Sequence, residues 1–286
     1  MFLDVIKDGA DPGATLGAAF TASMPETQLV AKGKFLDHFL LSLNGTVTTA
    51  AVALETFAGL LNPFAFKAGQ ETRIQLRARD LIALMAFMYG RVPRAWENTD
   101  GTGSDFILGI KIPIQEMIDP AQVYSWLATR VAQTNISVET LALEAVYLDD
   151  AKGKKPIIAV EMPYTTAGAA GYTNIGVELP ALGKMIGLLI FNTTIPAEGT
   201  FLHSIQRVQM LEGGKATSKF PLSVMNGMMT GIAGGTNPPL ADVLNPYATI
   251  DFRDEPIDLK TGKISFSVDV EAVSEATRFI AIIEKE

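Results

Sequence analysis

The sequence predicts an all-β chain built as two tandem eight-stranded jelly rolls with a few short helices. Three observations carry this reading: strict apolar–polar alternation in both halves, turn signals between the alternating runs, and an internal echo spaced at about half the chain. The clearest alternation sets Ile264, Phe266, Val268 and Val270 on one face against Ser265, Ser267, Asp269 and Glu271 on the other, the pattern of a half-buried strand. Ile110, Ile112 and Ile114 alternate with Lys111, Pro113 and Gln115, and Ile175, Val177 and Leu179 with Gly176, Glu178 and Pro180. Leu141 to Leu148 and Phe279 to Ile283 are more continuously apolar, as strands covered on both faces are.

Turns are predicted at Asn62-Pro63, at Asp149-Asp150-Ala151-Lys152-Gly153, at Glu212-Gly213-Gly214 and at Lys260-Thr261-Gly262-Lys263, the last as a hairpin leading into the alternating strand. Helical spacing is rarer. Asp119-Pro120 to Gln133 predicts a helix, with Asp as cap, Pro in the first turn and Val123, Leu127 and Val131 recurring every four residues. Asp80 to Gly90 predicts a second short helix. Many short strands with few helices indicate a sandwich or barrel in preference to alternating βαβ units.

The echo sets the domain plan. Phe39-Leu-Leu-Ser-Leu-Asn-Gly-Thr46 matches Gly187-Leu-Leu-Ile-Phe-Asn-Thr-Thr194 through shared Leu, Leu, Asn and Thr, and Thr72-Arg-Ile-Gln-Leu76 lines up with Ser218-Lys-Phe-Pro-Leu222. The offsets, 39 to 187 and 72 to 218, are 148 and 146 residues. A half of that size suits one eight-stranded jelly roll. The expected plan is an N-terminal arm over residues 1–30, a first jelly roll over 31–150 and a second over 151–286, joined in the Asp149 to Pro156 turn. Gly, Ala, Asp and Pro dominate Met1 to Glu26, and no strand is expected before about Leu29.

Of the 286 residues 48% are hydrophobic and 19% charged, and the mean hydropathy is +0.24. Such a chain lacks the signature of disorder, and its apolar excess calls for burial between subunits. Leu81 to Met88 and Ile186 to Phe191 fall far short of the roughly 20 apolar residues of a membrane-spanning helix. Asp4, Lys7 and Asp8 occupy the place of a signal peptide's apolar segment, so synthesis in a cytoplasm is expected. The absence of cysteine excludes disulfides, thiolate metal sites and a cysteine nucleophile. A net charge of -8 without a block of Lys or Arg argues against direct contact with nucleic acid.

No residue is assigned a catalytic, cofactor-binding or metal-binding role, and the chain is read as a non-enzyme without a cofactor. The two histidines, His38 and His203, each sit in an apolar stretch with no motif around them. Gly213-Gly214-Lys215-Ala216-Thr217 is not a phosphate loop: Gln209 stands where the first Gly is needed, and Ala216 where Ser or Thr is. Asp100-Gly-Thr-Gly-Ser-Asp105 has the composition of a calcium loop but lacks a bidentate Glu, and reads as an exposed turn. Asp251, Asp254, Glu255 and Asp258 could supply a carboxylate pair for glycoside hydrolysis, though such a run is more often a solvated loop. Asn44-Gly-Thr46, Asn135-Ile-Ser137 and Asn192-Thr-Thr194 match glycosylation acceptors by coincidence, and Met225, Met228 and Met229 read as core or contact residues.

Phe35 to Gly90 resembles the N-terminal region of coat proteins from lipid-containing bacteriophages of the corticovirus type. The shared features are a first strand ending in Asn44-Gly45-Thr46, a Thr-rich stretch, an apolar strand, a Gly turn, and a polar strand leading into Arg79-Asp80-Leu81. The apolar helix Leu81 to Met88 departs from that pattern. The resemblance is to double jelly-roll major capsid proteins, the lineage shared with tectiviruses and adenoviruses. It implies upright paired barrels, pseudo-hexagonal homotrimers and an icosahedral virion shell around an internal membrane. The implied partners are copies of the chain, neighbouring capsomers, and vertex and membrane-associated virion proteins. The competing readings are a trimeric phage spike or lectin-like binding protein, and a bicupin or β-sandwich enzyme; two histidines make the bicupin metal site improbable.

Overall fold

The computed structural model describes residues 2–7, 24–29, 35–47, 56, 58–91, 95–97, 105–134, 136–165, 170–174, 179, 181–192, 205–222, 224–225, 244, 246–260, 264–270 and 276–286. The chain divides into two compact units, Met1–Ile157 and Ile158–Glu286.

The first unit contains strands β1 (Phe2–Lys7), β2 (Met24–Leu29), β3 (Phe35–Val47), β4 (Leu61–Ala68), β5 (Glu71–Leu76), β6 (Ala95–Glu97), β7 (Asp105–Met117), β8 (Tyr124–Arg130) and β9 (Ile136–Leu148), with helix α1 (Ala78–Tyr89) between β5 and β6. One sheet runs β1-β9-β3-β7-β6, and the strands of the other follow the order β5-β4-β8-β2. The second unit contains β10 (Ile157–Thr165), β11 (Gly171–Asn174), β12 (Gly183–Asn192), β13 (Ile205–Glu212), β14 (Lys215–Pro221), β15 (Tyr247–Asp251), β16 (Ile257–Asp258), β17 (Ile264–Val270) and β18 (Ala276–Lys285). Its sheets follow β10-β18-β12-β15 and β14-β13-β17-β11, with β16 also on β12.

The two orders superimpose when nine is added to most strand numbers. β1-β9-β3-β7 becomes β10-β18-β12-β15, and β5-β4-β8-β2 becomes β14-β13-β17-β11. Each unit is therefore a pair of four-stranded sheets with the same connectivity, an eight-stranded jelly roll. Both echoes fall on equivalent strands. Phe39 to Thr46 lies in β3 and Gly187 to Asn192 in β12, each hydrogen-bonded to the last strand of its unit. Thr72 to Leu76 and Ser218 to Pro221 lie in β5 and β14, each the second strand of a hairpin.

Alternation explains the cores. In the first unit Phe39, Leu41 and Leu43 face inward with Ile112, Ile110 and Leu108 opposite them, and all six are buried. Phe39 meets Phe64 and Phe66 edge-on at centroid distances of 6.3 and 5.3 Å, and Phe66 stacks on Tyr124 at 6.2 Å. Leu188, Ile190, Val208, Phe266, Val268 and Phe279 belong to the corresponding core of the second unit.

Helix α1 ends at Gly90, whose φ of 60° is the left-handed geometry that glycine adopts without strain, and the Gly90 N–H donates to the Ala86 carbonyl. Its apolar character has a plain cause: Leu81, Ile82, Ala83, Leu84, Ala86 and Phe87 are all buried. The helix packs against β7, where the Lys111 backbone N–H donates to Met85 Sδ at 3.3 Å. β6 pairs with β7 only at Phe106 to Leu108, so α1 lies beside the strand beyond that pairing.

Four expectations are corrected. Asp119 to Gln133 is not a helix: Asp119 Oδ1 accepts the Ala121 N–H in a turn, and Tyr124–Arg130 is β8. A spacing of four is even, so it suits a strand face as well as a helix; the aromatic and β-branched residues Tyr124, Trp126 and Thr129 favour the strand. Two strands precede Leu29 or end on it, because a segment that adds to the edge of an existing sheet needs little pattern of its own; Phe2 to Lys7 pairs with Tyr147 to Leu143. Asn62-Pro63 lies inside β4, at a register shift between Leu61 and Phe64, where a residue without an N–H is tolerated. The segments flanking Lys260 to Lys263 do not form a hairpin, since β16 pairs with β12 while β17 pairs with β13.

Candidate assembly surfaces

Several charged side chains are held at the ends of the jelly rolls. In β5, Arg73 occupies the register shift between the pairs Phe66–Ile74 and Lys67–Thr72. Its Nε–H donates to Glu116 Oε2 at 3.0 Å and its Nη2–H to Oε1 at 3.3 Å, joining β5 to β7 of the other sheet. Glu71 also pairs with Arg73. Arg73 is 4% exposed and Glu116 7%, so the fork is shielded from water. A second register shift in β3, between Leu36 and His38, frees Asp37 from regular pairing. His38 Nδ1–H donates to Asp37 Oδ2 at 2.7 Å, and the Lys154 ammonium donates to Asp37 Oδ1. Lys154 belongs to the Asp149 to Pro156 turn, which is thereby fastened to β3. The His38 hydrogen bond, followed by Lys154, lowers the Asp37 carboxyl to a pKa of about 2 against the opposing effect of burial.

Beside this cluster, Lys111 lies opposite Leu40 in the β3–β7 pairing, and its Nζ stands 4.2 Å from the centre of the Tyr89 ring. Burial lowers the Lys111 pKa, and Asp37, Lys154 and Arg91 are close enough for their charges to act on it.

In the second unit a cavity of about 620 Å³ is lined by the apolar side chains Met210, Phe220, Phe252, Ile257 and Ile264 and by the carboxylates Glu212, Asp251, Asp254, Glu255 and Asp258. Phe220 and Phe252 meet edge-on at 6.0 Å. The Phe252 to Pro256 excursion interrupts what is one continuous strand, β7, in the first unit; β15 and β16 take up its two ends along β12. The guanidinium of Arg253 holds the Asp251 carboxyl below its ordinary range, with Nε–H 3.0 Å from each carboxylate oxygen. Asp258 Oδ1 accepts the Lys260 N–H at 2.8 Å. A pair for glycoside hydrolysis needs one carboxylic acid held protonated. Arg253 holds Asp251 ionised and so unsuits it to that acid role.

Of the other candidates, Gly213 and Gly214 form the β13–β14 turn, with φ values of 55° and 81°. Met225 packs in the second core and Asn192 is buried. His203, Asn135, Met228, Met229 and residues 100–104 lie outside the described residues, as do Ile175 and Val177. Among the described residues no group of three or more His, Asp or Glu side chains is arranged to hold a metal. The sequence reading overlooked Asp37, Arg73, Lys111, Glu116 and Glu212. Lys111 alone had a signal, as the polar member of an alternating strand.

Large apolar side chains reach solvent at the turns. Met117 and Val123 are 53% and 56% exposed on either side of the β7–β8 turn, and Val224 is 66% exposed in the second unit. Tyr172, on β11 at the edge of its sheet, has Lys219 Nζ 5.4 Å above its ring.

The sequence matches no protein-family model and no curated protein. Solved structures do match. The major capsid protein of Sulfolobus Turreted Icosahedral Virus aligns with a TM-score of 0.70 at 12% identity, over 99% of this chain and 96% of that one. The chain has the double jelly-roll fold of viral major capsid proteins. The major capsid protein P2 of bacteriophage PM2 aligns with this double jelly roll at a TM-score of 0.61 and 8% identity, over 99% of this chain and 97% of P2. The PBCV-1 virus capsid protein gives 0.60 at 9%, over 99% and 91%. Because the alignments span nearly the whole of both partners, the double jelly roll extends through both units.

Proposed function

We propose that the chain is the major structural subunit of an icosahedral virus, acting by lateral self-association and performing no catalytic step. The supporting observation is the end-to-end likeness of both jelly rolls to capsid proteins of three viruses. The duplication adds a physical reason. A ring of three two-barrel chains offers six similar sides and tiles a hexagonal lattice, and a cyclic contact of this kind closes without leaving an open end. Exposed apolar side chains such as Met117, Val123 and Val224 supply contact area at turns, where neighbours meet. In this reading the shell encloses an internal membrane, and vertex and membrane-associated proteins complete the virion after synthesis in the host cytoplasm.

Light scattering and negative-stain microscopy of the purified chain test the proposal. The expected particle is a trimer of chains of 30.7 kDa that forms hexagonal sheets or closed shells at high concentration. Elongated isolated trimers would favour a spike, and a strict monomer at every concentration would end the proposal.

A further inference from the structure

The two jelly rolls present charged clusters of opposite sign. On the first, Asp37 serves both His38 and Lys154, while Lys111 and Arg91 crowd the same region. The crowding is fixed by the fold: the β3–β7 register sets Lys111 opposite Leu40, α1 delivers the Tyr89 ring beneath the Lys111 ammonium, and Gly90 turns the chain so that exposed Arg91 follows at once. Lys152 is exposed in the adjoining turn beside the exposed carboxylates of Asp149 and Asp150, and Asp150 Oδ1 accepts its N–H at 3.1 Å, so the positive region centres on Arg91 and Lys111. Among the described residues neither Arg91, Lys111 nor Lys152 forms a side-chain ion pair.

On the second jelly roll, the carboxylates of Glu212, Asp254 and Glu255 edge the cavity; the Arg253 guanidinium, held by Asp251, also feels Asp254, while Glu212 and Glu255 form no ion pair among the described residues. Phe220, Phe252 and Met210 give it an apolar aromatic wall. At about 620 Å³ it falls within the roughly 300–1,000 Å³ range in which proteins bury whole groups of another molecule. Carboxylates around an aromatic wall suit a guanidinium or ammonium, which gains ion pairs at its rim and ring faces along its stem.

We infer that this cavity receives the cationic side chain of Arg91, from the Arg91–Lys111 region of a second copy of the chain. The inference rests on the capsid reading and specifies one contact within it. Such a contact joins unlike surfaces of identical chains, and contacts of that type generate rings when the rotation closes. The charges set register and encounter rate, and apolar side chains supply the remaining area.

The test is a charge swap on the full chain, with self-association followed by sedimentation velocity and folding checked by circular dichroism. Arg91→Glu and the pair Asp254→Lys with Glu255→Lys are each expected to raise the dissociation constant at least about tenfold, since opposed like charges cost several kcal/mol. Combining them in one chain is expected to restore association to within a factor of about three of the parent, the signature of a direct coupling. The neutral variants Arg91→Gln and Glu255→Gln, milder for folding, are expected to weaken association and to flatten its salt dependence. Folded reversal variants that associate like the parent would overturn the contact while leaving the capsid reading intact, as would a combined variant no better than either single set. A parent chain that never self-associates would overturn both.

Discussion

Replacing Arg73 by Met is expected to destabilise the first jelly roll by about 3–5 kcal/mol, the cost of removing one member of a buried ion pair and leaving charge uncompensated. The number follows from the surroundings. Arg73 is 4% exposed and joins Glu116 through two hydrogen bonds of 3.0 and 3.3 Å, and Glu71 shares the same guanidinium. Its removal strands two carboxylates. Replacing Glu116 by Gln leaves Arg73 its pair with Glu71 and keeps a hydrogen-bond acceptor, so the loss falls to about 1–3 kcal/mol. The combined change Arg73→Met, Glu116→Leu removes both charges of the fork and is expected to cost less than Arg73→Met alone, because an apolar pair of similar volume carries no desolvation penalty. Tryptophan fluorescence in a urea titration is the suitable assay. The only two tryptophans, Trp96 and Trp126, both belong to the first unit, so the signal follows that unit even if the halves unfold separately. A Glu116→Gln loss exceeding that of Arg73→Met, or an Arg73→Met loss below about 1 kcal/mol, would refute the shared-guanidinium argument.

Asp37 has a folded pKa of about 2 against an ordinary 3.8. Its stabilising effect of about 2 kcal/mol is therefore complete above pH 4 and fades as pH falls through 2. Asp37→Asn is expected to be less stable than the parent at pH 5 and nearly equal to it near pH 2, as read by the same fluorescence titration. Phe39→Ala, at a fully buried site between Phe64 and Phe66, is expected to lower the stability of the first unit by about 3–5 kcal/mol. Gly183→Ala would drive a Cβ into the Glu284 carbonyl oxygen, a backbone atom of the neighbouring strand β18. The expected loss of about 1–3 kcal/mol falls on the second unit, and a thermal scan that separates the two units checks it.

The fold was legible because duplication leaves two readings of one plan. Leu-Leu and Asn recurring at 148 residues fall on equivalent strands, although the inward face is offset by one position: Leu41 is buried in the first core, whereas Leu188, the counterpart of exposed Leu40, packs in the second. Val123, Leu127 and Val131 misled because four residues is a whole number of strand repeats as well as about one helical turn. The helix Leu81 to Met88 was visible in kind, while its apolarity becomes intelligible only once it is seen to be buried on several sides. The candidate surfaces were far less readable. Asp37 and Arg73 owe their positions to register shifts, which depend on how two strands happen to be paired, and Lys154 reaches Asp37 across 117 residues. Glu212 and Glu255 share a cavity through pairing between distant strands, which leaves no local spacing to recognise.

The placement of α1 beside β7 bears on which kinds of contact the sheet can make. A strand with bare amides along its flank invites another such strand, and repetition of that step leads to ribbons without limit. With the Lys111 amide already donating to Met85, that flank is plugged from within. If copies of the chain associate as proposed, contacts on this flank are left to side chains, whose shapes and charges permit a finite, countable assembly.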